Sequence, residues 1–92
     1  MIEDVRTYSE VRRIEFTEDR PVVFERREGV NYLTTETLRK GDRGTALGVV
    51  TRWDLVLVRM DTNPSKDLIT APYCVRELTA LEVLGETHGK LT

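Results

Sequence analysis

Cys74 and His88 are the only cysteine and histidine in the chain, so any nucleophile or neutral-pH base must be sought there first. A reactive thiol needs an electropositive, accessible setting that favours the thiolate. Pro72-Tyr73-Cys74-Val75 is instead apolar, and it reads as a buried, inert cysteine. His88 sits in Gly85-Glu86-Thr87-His88-Gly89, a context poor at holding a base within hydrogen-bond reach of a substrate. One Cys and one His do not fill a tetrahedral zinc site, and the carboxylates show no ligand spacing. Asp42, Asp54, Asp61 and Asp67 gather around expected turns, where Asp is common for backbone reasons. Gly41, Gly44 and Gly48 match neither phosphate-cradling glycine pattern, and no helix is expected after them. These residue types predict a non-enzyme with no cofactor and no metal.

The chemistry left is that of recognition. Trp53 stands between Arg52 and Asp54 at an expected hairpin tip, the composition of an interaction hot spot. The alternative is that its ring folds back over the open end of the sheet. The basic residues are lopsided, eleven Arg against three Lys. Arg suits planar, bidentate contacts. Arg12-Arg13, Arg26-Arg27, Arg39-Lys40, Arg43 and Arg52 would make a basic stripe if their turns converged. With Trp53, Tyr32 and Phe24 beside it, the stripe would bind single-stranded nucleic acid by stacking and phosphate contact. Glu10, Glu15, Glu25, Glu28 and Glu36 interleave with the same arginines, and that pattern favours a salt-bridged, solvated face. The residues expected to meet a partner are Trp53, Arg52, Arg43, Tyr32, Arg26 and Arg27.

Composition sets the frame for these side chains. Ninety-two residues, 39% hydrophobic and 33% charged, suit one small folded domain. The net charge of −2 supplies no overall field toward nucleic acid or an anionic membrane. A lone cysteine forms no internal disulfide, as expected in a reducing compartment. The charged start MIEDVRTYSE is not a signal peptide. No apolar run reaches the roughly 18 residues of a membrane span. The expected location is the cytoplasm, or a particle assembled there, with no membrane partner.

Gly41 to Asp61 organises the rest. Ala46, Leu47, Val49 and Val50 form one apolar run and Leu55 to Met60 another, separated by Thr51-Arg52-Trp53-Asp54. That is a β-hairpin. Upstream, Ile14 and Phe16 alternate with polar residues over Arg13–Thr17. Pro21–Glu25 and Val30–Thr34 flank the turn Arg26-Arg27-Glu28-Gly29, so residues 11–37 read as a three-stranded meander. Residues 1–10 suit a helical turn or a flexible arm. Thr35–Leu38 suits a single helical turn or a lead-in loop to the central hairpin. Asp61–Asp67 reads as a loop and Leu68–Ala71 as a strand ended by Pro72. Val75–Leu84 fits either a helical face or a strand. The expectation here is a short 3₁₀ turn near Arg76–Leu78, a closing strand at Ala80–Leu84, and a mobile tail over 85–92.

From Leu38 to Leu84 the pattern resembles a small Src-homology-3-like barrel of the KOW and Tudor kind. The features that carry it are Lys40-Gly41-Asp42-x-Gly44 before a strand, Val56-x-Val58 ending at Asp61, a polar loop, and Ile69-x-Ala71-Pro72 followed by Leu78 and Leu81. The chain has no aromatic cage, no Tyr-rich acidic loop and no full KOW signature. The resemblance implies a fold, all-β with a small barrel after a short meander, and a binding role. The expected function is an interaction module, an accessory or adaptor protein of phage or mobile-element type that binds a larger protein. The other reading is nucleic-acid binding through the arginines. Unpaired sheet edges also invite homo-oligomers.

Overall fold

In a computed structural model the chain is an all-β fold: one antiparallel sheet of seven strands, with a single α-helix among the described residues. The structure describes residues 5–34, 37–51 and 53–91, the last five through their backbone only. The strands are β1 (Val5–Phe16), β2 (Val23–Arg27), β3 (Val30–Leu33), β4 (Arg43–Val50), β5 (Leu55–Met60), β6 (Asn63–Thr70) and β7 (Val75–Glu77), and the helix is α1 (Ala80–Leu91). Their order across the sheet is β3-β2-β6-β5-β4-β1-β7, which leaves β3 and β7 at the edges.

Directly opposed residues of antiparallel strands share a face. Tracing the register assigns Ile14, Phe16, Val23, Ala46, Val56, Val58, Met60 and Leu68 to one face, where they form the main core with Leu38 and Cys74 from the connections. On β4 the register steps from Ala46↔Val58 to Gly48↔Leu57, inserting Leu47 as an extra residue. A bulge of one residue turns the following side chains over. Gly44 and Ala46 therefore face the main core, whereas Val50 joins Leu57 and Ile69 in a second cluster on the opposite face.

The central hairpin and the β2–β3 hairpin form where the apolar runs place them. Glu28 and Gly29 close β2–β3 with φ of 50° and 80°. Two positive φ values are what a two-residue hairpin loop needs, and glycine takes the second without strain.

Four local expectations are corrected. Residues 11–37 do not form a three-stranded meander, because β1 pairs with β4 and β7 while β2 pairs with β3 and β6. The strand expected from Arg13 begins at Val5: β1 passes from Thr7↔Gly48 to Arg12↔Ala46, and the irregularity between them erases the alternation that marks a strand. Residues 1–4, part of the expected arm, lie outside the described residues, as do Thr35 and Glu36 of the expected helical turn. The loop at 61–67 shrinks to a turn at Asp61–Thr62, and β6 starts at Asn63 despite Pro64. Proline is tolerated because β2 pairs with β6 only over residues 67–70, so Pro64 lies outside that ladder. The 3₁₀ turn falls earlier, at Pro72–Cys74.

The largest correction is α1, which replaces the closing strand at Ala80–Leu84 and continues to Leu91. Thr79 Oγ1 accepts from the Glu82 N–H (3.2 Å) while the Glu82 carboxylate accepts from the Thr79 N–H (3.0 Å). This reciprocal box satisfies two backbone donors that a helix start leaves free.

Candidate functional site

Trp53 is held at the tip of β4–β5. Its N–H donates to the Val50 carbonyl at 3.3 Å, and Asp54 takes the left-handed conformation with φ of 54°. Val50, at the foot of the tip, is buried in the second cluster with Leu57 and Ile69, and Leu47 and Leu55 pack against that cluster. Trp53 is 51% exposed. Arg52 lies outside the described residues.

Tyr32, Arg26 and Arg27 share the β2–β3 hairpin. Arg27 and Tyr32 stand on the main-core face, with the guanidinium 5.8 Å from the ring centroid. Arg26, one residue away, points to the other face. Beneath Arg27 lies Glu25, only 5% exposed, paired with Arg27 and with Lys66 at 3.7 Å. The Arg27 hydrogen bond, with a smaller pull from Lys66, outweighs burial and holds the Glu25 carboxyl below its usual range.

Arg43 is committed elsewhere. On the face opposite the main core, Arg76 of β7, Glu15 of β1 and Arg43 of β4 are consecutive cross-strand partners, with Glu15 bonded to Arg76 at 3.0 Å and to Arg43 at 2.9 Å. Arg13 lies in the next row. It donates to both Asp61 oxygens at 2.8 and 2.6 Å and to Thr45 Oγ1 at 3.0 Å. Glu82 and Glu86, four residues apart on one face of α1, lie over this layer. Glu82 takes Arg76 at 2.9 and 2.6 Å; Glu86 takes Arg13 at 3.0 Å and Arg43 at 3.1 Å. Alternating charges thus clasp the helix to the sheet. Sequence reasoning did not select Glu82 or Glu86; the signal was Thr79-x-x-Glu82, with Glu86 one turn later.

The expected basic stripe does not assemble as one surface. Arg13, Arg27 and Arg43 are each bound by carboxylates, Arg12 is 4.0 Å from Glu77, and the set is spread over both faces of several strands. Asp42 Oδ2 accepts from the Arg39 N–H at 2.9 Å, and Asp67 pairs with Arg59 at 2.7 Å. Cys74 is buried and its Sγ–H donates to Glu18 at 3.2 Å; burial first, and Glu18 second, push the thiol up, away from the thiolate. The side chain of His88 lies outside those described. Among the described residues, no three His, Cys, Asp or Glu side chains are grouped to hold a metal ion, and no helix is long and apolar enough to cross a membrane.

The clasp gives a pH prediction. The Arg76 hydrogen bond, then the Thr79 N–H, lower the Glu82 carboxyl to about 2; Arg43 and Arg76 lower Glu15. A carboxyl lowered by folding stabilises the native state above its unfolded value of about 4.3, and that contribution disappears as pH falls through the folded value. The denaturation midpoint should be flat from pH 7 to 5 and fall between about pH 4 and 2, with amide protection of α1 lost first. Glu82→Gln should flatten the fall. An unchanged acid limb in that variant would remove Glu82 from the clasp.

Comparison of the chain with protein-family models, with curated proteins and with solved structures finds no match in any of the three. The functional reading therefore rests on the geometry alone.

Proposed function

We propose that the chain is a non-enzymatic interaction module, a small accessory or adaptor protein that presents the Trp53 hairpin tip to a larger protein. The observation that carries this is a half-exposed tryptophan on a backbone fixed by the Trp53–Val50 hydrogen bond, at the end of a buried apolar cluster. A large aromatic held rigidly in solvent loses little conformational freedom on binding and gains most of its burial there. The soluble interior of a cell, or a particle assembled there, is the setting that fits such a module.

The test is Trp53→Ala in a pull-down and titration run with and without nuclease. Truncating a central Trp anchor should weaken partner binding by about 2 kcal/mol, roughly thirty-fold, with the thermal midpoint unmoved. Equal binding by the variant would take Trp53 out of the interface. Recovery that vanishes with nuclease would transfer the role to nucleic acid.

A further inference from the structure

We propose that β3 is the seam of a homodimer, in which two copies join their sheets by antiparallel pairing of β3 strands centred on Tyr32. This goes beyond the Trp53 reading and uses a different surface, since β2 and β6 separate β3 from the β4–β5 hairpin.

The two sides of the sheet end differently: β7 covers β1 only at Ile14–Phe16, and the rest of that side, β1 from Val5 to Arg12, is broken by Arg6, Glu10 and Arg12. β7 has three residues, carries Arg76 and Glu77, and is bounded by the Pro72 turn and by α1. Short, charged strands flanked by proline are how proteins protect an edge. β3 is nearly as short, at four residues, but carries neither charge nor proline. No residue from Gly29 to Thr34 is charged, in a chain where 33% are. Val30, Tyr32 and Leu33 are 47%, 51% and 73% exposed.

The backbone fixes the register. Arg27↔Val30 closes the two-residue loop, and the Thr34 N–H donates to the Val23 carbonyl at 3.4 Å. Hydrogen-bonded and non-hydrogen-bonded pairs alternate in antiparallel ladders. Val30 and Tyr32 therefore turn their N–H and C=O groups toward β2, and Asn31 and Leu33 turn theirs outward. A second β3 saturates all of these outward groups at once only when Asn31 of each copy faces Leu33 of the other. That register sets the two Tyr32 rings opposite each other across the two-fold axis, and it opposes no like charges within the strand. An edge whose outward groups complete each other under one rotation fits a second copy of itself. An unlike partner strand would have no reason to be centred on Tyr32.

Three measurements on the full chain decide it. Sedimentation equilibrium of the wild type should show a dimer that dissociates on dilution. Leu33→Lys, at an exposed position, should raise the dissociation constant by at least about tenfold with an unchanged circular-dichroism spectrum. Tyr32→Cys places two thiols at the axis in a non-hydrogen-bonded pair, whose Cα atoms lie about 4.5 Å apart. It should give a disulfide-linked dimer on mild oxidation, while Val30→Cys, which faces residue 34 of the second copy, should not. Cys74 is buried and takes no part. A wild type that stays monomeric up to about 1 mM overturns the proposal and leaves the edge to an unlike strand. So does a Leu33→Lys chain that dimerises normally, or equal cross-linking at positions 30 and 32. If Tyr32→Cys does not fold, Leu33→Lys decides alone.

Discussion

A Phe16→Ala chain is expected to lose about 3–5 kcal/mol of stability, the range for emptying a buried aromatic site. Phe16 is fully buried and lies where three segments meet. It pairs with Val75 of β7, its N–H donates to the Asp42 carbonyl at 2.9 Å, and its carbonyl accepts from the Gly41 N–H at 2.9 Å. Ile14, Leu38, Met60, Leu68 and Cys74 belong to the same cluster. Those backbone bonds keep the site from collapsing around an alanine, so the cavity persists. A domain of this length has about 5–14 kcal/mol in total, so the variant should have a sharply lower urea midpoint. Val22→Ala, at an exposed position, should change stability by less than about 0.5 kcal/mol.

Gly44→Ala should cost as much as an overpacked core, at or above the top of the usual range of about 1–3 kcal/mol. Gly44 lies between Ile14 of β1 and Met60 of β5. A Cβ there would come within 2.5 Å of the Arg59 carbonyl oxygen and 3.0 Å of the Met60 Cα. Both are backbone atoms of a paired strand, so relief requires parting β4 from β5. Gly85 in α1 is the opposite case. No atom beyond its chain neighbours and its own stretch of helix backbone lies within 4 Å of its would-be Cβ, and Gly85→Ala should stabilise by about 0.5–1 kcal/mol through helix propensity. Chemical denaturation of the two variants should give shifts of opposite sign.

The strands legible in the sequence were those whose pairing is regular. β4 and β5 announced themselves as apolar runs about a polar tip, and β2–β3 as runs about Glu28-Gly29. The start of β1 was hidden because the register breaks between Thr7 and Arg12, leaving Val5, Tyr8 and Val11 at a spacing of three. Pro64 masked the start of β6, since nothing local says which part of a strand lacks a second partner. Helix α1 was hidden by its two glycines, and Leu81 and Val83 imitated a strand face. At the level of the site, Trp53 was placed correctly at a hairpin tip. Which arginines meet which carboxylates was not legible, because adjacent residues such as Arg26 and Arg27 part to opposite faces and the partners come from distant strands.

The measurement that bears most directly on the account is photo-cross-linking from position 53. A cross-linking aromatic would replace Trp53 in one chain and, as a control, the exposed Tyr73 in another. After nuclease treatment, the chain labelled at 53 should form one protein adduct that excess wild-type chain competes away, and the chain labelled at 73 should form none. No protein adduct at 53, or the same adduct from both positions, would contradict the claim that the hairpin tip is where this chain meets its partner.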